Sequence, residues 1–131
     1  MEQQPGFNIS YPASAELECV EVVITAESAD WLADFTRSLV EDGLVACGHN
    51  IARIRAVYRW EGEIFDEPQA RVGLQTRVSL VPAIGVRADR GHADDVPGSI
   101  DMPIIGGNLS ICVRFMNQRP SPLLPALNLV Q

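Results

Sequence analysis

Cys19 to Ala26 is a nearly unbroken apolar, β-branched run bounded by polar residues, which predicts a mostly buried strand near the centre of a sheet. Leu32, Phe35 and Leu39 then recur at helical spacing, with Asp34, Arg37, Ser38 and Glu41 facing away. Ser28 is placed to cap that helix, Asp30 adds favourable charge to its first turn, and Gly43 suits the left-handed residue that ends it. Leu44 to Asn50 leads into a long strand. There Ile54, Ala56, Tyr58 and Trp60 alternate with Arg53, Arg55, Val57 and Arg59, the period of two of a strand with one buried face. Glu61-Gly62 supplies a glycine able to take a positive φ in a hairpin turn. A further strand follows from Ile64 to Arg77, with Val72, Leu74 and Thr76 on one face and Arg71, Gln75 and Arg77 on the other.

Past Arg77, Ser79 is expected to cap a second helix carrying Leu80, Ile84 and Ala88, with Pro82 tolerated in its first turn and Gly85 a weak point. Residues 91–95 read as a loop. Val96-Pro97 and then Ile100, Met102, Ile104 and Ile105 read as an edge strand with prolines at its margins, and Leu109 to Met116 as a short, preferably helical segment. Residues 1–17 form a leader, 18–117 the domain and 118–131 a tail rich in proline and leucine. The order βαββαβ plus a short C-terminal element is an α+β, ferredoxin-like split βαβ sandwich, with two helices on one face of an antiparallel sheet. The other face is left uncovered, which predicts association through the sheet or the long hairpin.

Composition narrows the function. The chain of 131 residues carries a formal charge of -7, and its ten basic residues are all arginine. Dispersed arginine in an acidic chain argues against nucleic-acid binding, and the absence of lysine excludes a Schiff base or a phosphate-loop lysine. No apolar run is long enough to span a bilayer, and no signal-peptide pattern opens the sequence. Cys19, Cys47 and Cys112 are odd in number and form no CxxC pair, so reduced thiols in the cytoplasm are expected. Neither a nucleophile elbow, a zinc-protease helix nor a glycine-rich phosphate loop is present, so no enzymatic activity is expected and no organic cofactor is indicated.

Several segments together resemble the CutA family of divalent-cation-tolerance proteins: residues 22–26, Leu39 to Cys47, Tyr58-Arg59-Trp60-Glu61-Gly62-Glu63-Ile64, Thr76-Arg77, and His92 with Asp95-Val96-Pro97. The resemblance implies a compact, PII-like homotrimer in which the long hairpins pair across subunits. It also implies a role in tolerance of copper or other divalent cations, and no reaction. The sequence departs from the family pattern in four places, one of them Ser110-Ile111-Cys112-Val113, where an aromatic close is usual. Gln75 stands where a lysine is usual, His92-Ala93-Asp94-Asp95 replaces a His-Pro-Tyr-acid loop, and Gly98 replaces an acidic residue.

Cys47 and His92 are the side chains suited to a soft metal such as copper; the alternative for Cys47 is a small buried apolar residue. His49, two positions after Cys47 on an extended segment, projects to the same face and makes either a chelating pair or an exposed strand histidine. Asp95, beside Asp94, is either an oxygen ligand or a turn residue. Tyr58, Trp60, Glu61, Glu63 and Gln75 are the expected lining of a cleft between subunits, the two glutamates reading alternatively as solvent-facing. Arg53, Arg55 and Arg59 bind a small anion or pair with carboxylates. A signalling or interaction scaffold, with the ancestral metal site altered, is the alternative reading of the whole.

Overall fold

The computed structural model describes residues 19–91, 98–105, 107 and 114. Its elements follow the order β1 (Cys19–Ala26), α1 (Ala29–Glu41), β2 (Cys47–Trp60), β3 (Glu63–Arg77), α2 (Val81–Gly91) and β4 (Gly98–Ile104). The strands form one antiparallel sheet in the order β2-β3-β1-β4, so the apolar β1 is interior and the proline-bearing β4 is an edge. This is the ferredoxin-like arrangement expected from the pattern. The expected segment Leu109 to Met116, apart from Arg114, and the leader and tail lie outside the described residues.

Capping residues set where α1 starts and stops. Ser28 has extended backbone and its hydroxyl accepts from Trp31 N at 3.0 Å, satisfying an amide that has no partner within the helix. At the other end Gly43 takes φ 76°. Leu44 N donates to Leu39 O at 2.9 Å and Gly43 N to Val40 O at 3.1 Å, the paired bonds of a Schellman motif, while Leu39 and Leu44 are both fully buried. The second helix begins differently from the expectation. Ser79 lies inside a 3-10 turn over Val78–Leu80, in which Val81 N donates to Val78 O, and α2 starts at Val81 without a serine cap. Pro82 in the first turn has no amide to satisfy, which lessens the need for one.

The core lies between the helices and one sheet face: Val20, Val22, Ile24 and Ala26 of β1 and Ala70, Val72 and Leu74 of β3 pack against Leu32, Phe35 and Leu39 of α1 and Ala83, Ile84 and Ala88 of α2. Gly48 lets α1 come close to β2, since a Cβ there would stand 2.5 Å from Thr36 Cγ2. Arg87 of α2 ties the two helices together through Asp42 at 2.9 Å and Ser38 Oγ at 3.2 Å.

The opposite face of the sheet carries the residues that alternate with these. A bulge between Ala52 and Ile54 moves the parity of β2 by one position. Cys47, His49 and Ile51 therefore share this open face with Ile54, Ala56, Tyr58 and Trp60, and with Phe65 of β3. The apolar side of β2 was expected to be buried, and along the outer half of the hairpin it is not. Tyr58 is 39% exposed and Trp60 53%, because both helices cover the other face of the sheet. Ile100 and Met102 of β4 add exposed apolar surface to the open face.

Candidate functional site

Two groups of side chains on the open face carry chemistry. The first is a row across three strands, in which Cys47 of β2 lies opposite Gln75 of β3, and Gln75 lies opposite Glu21 of β1. Cys47 Sγ is 2.6 Å from Gln75 Oε1, and Gln75 Nε2 is 2.5 Å from Glu21 Oε1. A carboxylate only accepts, so the amide must present its NH2 to Glu21 and its carbonyl to Cys47. The thiol then donates. Burial pushes the Cys47 thiol up, the Arg114 guanidinium opposes that shift, and the Glu21 charge adds to it. Gly73 gives Glu21 its place, since a Cβ at that position would come 2.7 Å from Glu21 Oε2.

The second group is the hairpin end. Glu61 (φ 51°) and Gly62 (φ 82°) both have positive φ, as a two-residue type I′ turn requires, and the pair closes Trp60 against Glu63. Tyr58 stacks on Phe65 with ring centroids 5.4 Å apart, and its hydroxyl donates to Glu67 Oε1 at 2.7 Å. On the other face Arg55 grips Asp66 through two bonds of 2.7 Å, which holds the Asp66 carboxyl below its ordinary range. Arg59 reaches the Gly62 carbonyl at 3.4 Å. Of the three arginines, Arg55 therefore takes a carboxylate, the second of the two sequence readings. Glu61 and Glu63 are exposed.

The sequence places Tyr58, Trp60, Glu61, Glu63 and Gln75 in one cleft; within a single chain the first four stand together at the hairpin end and Gln75 does not join them. Trp60 and Cys47 are the two ends of a 14-residue strand, and Gln75 is paired with Cys47. At roughly 3.3 Å per residue the aromatic end of the hairpin is about 40 Å from Gln75. The cleft set closes only if the hairpin of one chain reaches the Cys47 end of another.

For a metal, the fit of the described residues is poor. Among them no group of three or more His, Cys, Asp or Glu side chains is arranged around a common point. Cys47 and His49 share a face and supply at most a pair, and the Cys47 proton is committed to Gln75. His92 and Asp95, the remaining expected ligands, lie outside the described residues. Glu21 was missed by sequence reasoning. A detectable signal existed, a single charged residue inside an otherwise apolar central strand.

Comparison with known proteins gives a consistent picture. The profile of the CutA1 divalent ion tolerance protein family matches residues 20–117. The chain is 30% identical over 109 residues to "Protein CutA 1, chloroplastic" of Oryza sativa subsp. japonica, covering 78% of this chain and 62% of that protein. It is 29% identical over 87 residues to "Divalent-cation tolerance protein CutA" of Thermus thermophilus, covering 66% of this chain and 84% of that one. The chain thus spans less than two thirds of the rice protein and 53% of the Arabidopsis thaliana relative "Protein CutA, chloroplastic". The crystal structure of CutA1 from Oryza sativa superimposes with a TM-score of 0.76 at 29% identity, covering 82% of this chain and all of that one. CutA1 from a psychrotrophic Shewanella superimposes at 0.74 with 26% identity, covering 80% and 96%. With a profile matched across most of its length and the same fold in these relatives, the chain belongs to the CutA1 divalent ion tolerance family.

Proposed function

We propose that the protein assembles as a PII-like homotrimer and acts in tolerance of divalent cations, copper among them, by binding a cation or small ligand weakly at clefts between protomers. The observation that carries this reading is the division of the cleft residues between the two ends of the β2–β3 hairpin, about 40 Å apart by strand rise, so that one chain alone cannot form the cleft. The exposed apolar strip of Ile51, Tyr58, Trp60, Ile100 and Met102 supports assembly. His92 and Asp95 are the ligands the reading assigns to the cation. No chemical step is part of it. Cys47 is a free thiol, which suits the reducing cytoplasm, and among the described residues no helix is long and apolar enough to cross a membrane.

Calorimetric titration with copper(II), run beside light scattering, tests the reading. Assembled wild type should bind, a Trp60→Glu variant that disperses to single chains should not, and a His92→Ala, Asp95→Ala variant should stay assembled and lose the heat. Equal binding by dispersed chains would refute it. A second reading, an interaction scaffold whose metal site is altered, is favoured by the engagement of the Cys47 thiol with Gln75. An assembled protein that takes up neither copper, cobalt nor zinc would support that second reading over the first.

A further inference from the structure

We propose that Glu21 and Gln75 form a directional hydrogen-bond lock that holds Cys47 as a thiol donor and withholds its sulfur from soft metal ions and electrophiles. The inference stands on three side chains of one chain, and it holds whether or not the cleft between protomers binds a cation.

Direction is the essential feature. An isolated glutamine beside a cysteine could present either end of its amide, accepting from a thiol or donating to a thiolate. Here one end is fixed. Glu21 lies on the far side of Gln75 and can only accept, so the NH2 is consumed there and the carbonyl must face Sγ. Gln75 is 9% exposed, which keeps water from replacing either bond cheaply. Gly73 completes the device by leaving the floor beneath the Glu21 carboxylate clear; any side chain there would lift the carboxylate away. A metal ligand or nucleophile needs the sulfur lone pair of a thiolate, and an acceptor carbonyl at 2.6 Å disfavours that form. The charged and titratable groups around the thiol are Glu21 on β1, Arg77 two positions along β3 on the same face, His49 two positions along β2, and Arg114. Burial of the thiol acts in the same direction as the lock.

Glu21 and Gln75 are thus positioning residues for Cys47, and their coupling is measurable. Two readouts at fixed neutral pH serve, each taken as the difference from a Cys47→Ser control: alkylation of Cys47 by iodoacetamide followed by peptide mass spectrometry, and the ultraviolet thiolate band that forms with cadmium(II). Wild type should alkylate slowly at Cys47 and show no Cys47-dependent cadmium band. Glu21→Gln frees the amide to turn, and should speed alkylation about fivefold, the factor that one ordinary hydrogen bond represents, with a cadmium band appearing. Gln75→Leu keeps the volume and removes the lock, and should speed alkylation similarly. The decisive comparison is Glu21→Gln placed on Gln75→Leu. If Glu21 acts mainly through the amide, the second substitution adds much less than it does on wild type, leaving only the direct repulsion of the Glu21 charge. The proposal is overturned if Glu21→Gln has the same effect with and without Gln75, which would mean simple charge repulsion, or if wild type already shows the cadmium band.

Discussion

Replacing Gly48 with alanine tests how closely α1 is seated on the sheet, and the structure supplies the magnitude. The new Cβ would stand 2.5 Å from Thr36 Cγ2 and 3.0 Å from Leu74 Cδ2, whereas carbon atoms pack at about 3.5–4.0 Å. A gap of about 1 Å must therefore open. Leu74 cannot retreat, being fully buried. Thr36 cannot readily turn aside either, because it is β-branched and its hydroxyl donates to Leu32 O at 2.8 Å and accepts from Asn50 Nδ2 at 3.3 Å. Overpacking of this kind costs about 1–3 kcal/mol, and the lower flexibility of alanine in the unfolded strand returns about 0.5–1 kcal/mol. Because neither neighbour can give, the upper part of that range, about 2–3 kcal/mol, applies, and the expected net loss is about 1–2.5 kcal/mol, or about 3–10 °C in Tm. Urea denaturation at fixed protein concentration, followed by tryptophan fluorescence, measures it. Thr36→Ser removes the clashing methyl and keeps the hydroxyl, so the double variant Gly48→Ala, Thr36→Ser should recover most of the loss. A Gly48→Ala protein within about 0.5 kcal/mol of wild type, or a double variant whose losses simply add, would refute the argument. Since Cys47 and His49 flank Gly48, a displaced α1 should also disturb the Cys47–Gln75 contact.

Other positions give sharper single-residue tests. Gly85 is exposed inside α2, and a methyl group added there would meet nothing within 4 Å, so Gly85→Ala should raise stability by about 0.5–1 kcal/mol in the same denaturation assay. Thr76 is fully buried and its hydroxyl donates to Leu44 O at 2.7 Å, so Thr76→Val, alike in shape, should cost about 1–2 kcal/mol through the unpaired carbonyl. The Asp66 carboxyl should titrate below the ordinary carboxylate range by NMR and move back up in Arg55→Gln, because the hydrogen-bonded Arg55 is the cause of its depression. A depressed carboxyl contributes stability that is present above its unfolded value and is lost as pH falls through its folded one, so the gap between wild type and Arg55→Gln should narrow on acidification. An Asp66 midpoint unmoved by Arg55→Gln would contradict the pairing.

Much of the fold is legible in the sequence because local signals and tertiary packing agree. The β-branched run of β1, the Ser28 and Gly43 caps of α1 and the Glu61-Gly62 turn all stand where the pattern puts them. The start of α2 was less legible, because Ser79 carries a capping side chain at a place where the backbone forms a 3-10 turn instead. The bulge in β2 left only a faint trace, Ile51 and Ile54 standing three apart within a strand of period two. The site was harder still. Nothing in spacing ties Gln75 to Glu21 and Cys47, which lie 54 and 28 positions before it along the chain and meet it only through strand pairing. The exposure of Tyr58 and Trp60 depends on which face of the sheet the helices cover, and the alternation along β2 carries no record of that.

The proposed function turns on whether the two ends of the hairpin complete one site only between chains. Native mass spectrometry of wild type and Trp60→Glu at micromolar concentration addresses that question without an intermediate assumption. Wild type should be found at three chain masses, and Trp60→Glu should shift toward a single chain while keeping its folded charge-state distribution. A wild-type protein found at one chain mass under gentle conditions, with any bound cation retained on the single chain, would contradict a site shared between protomers.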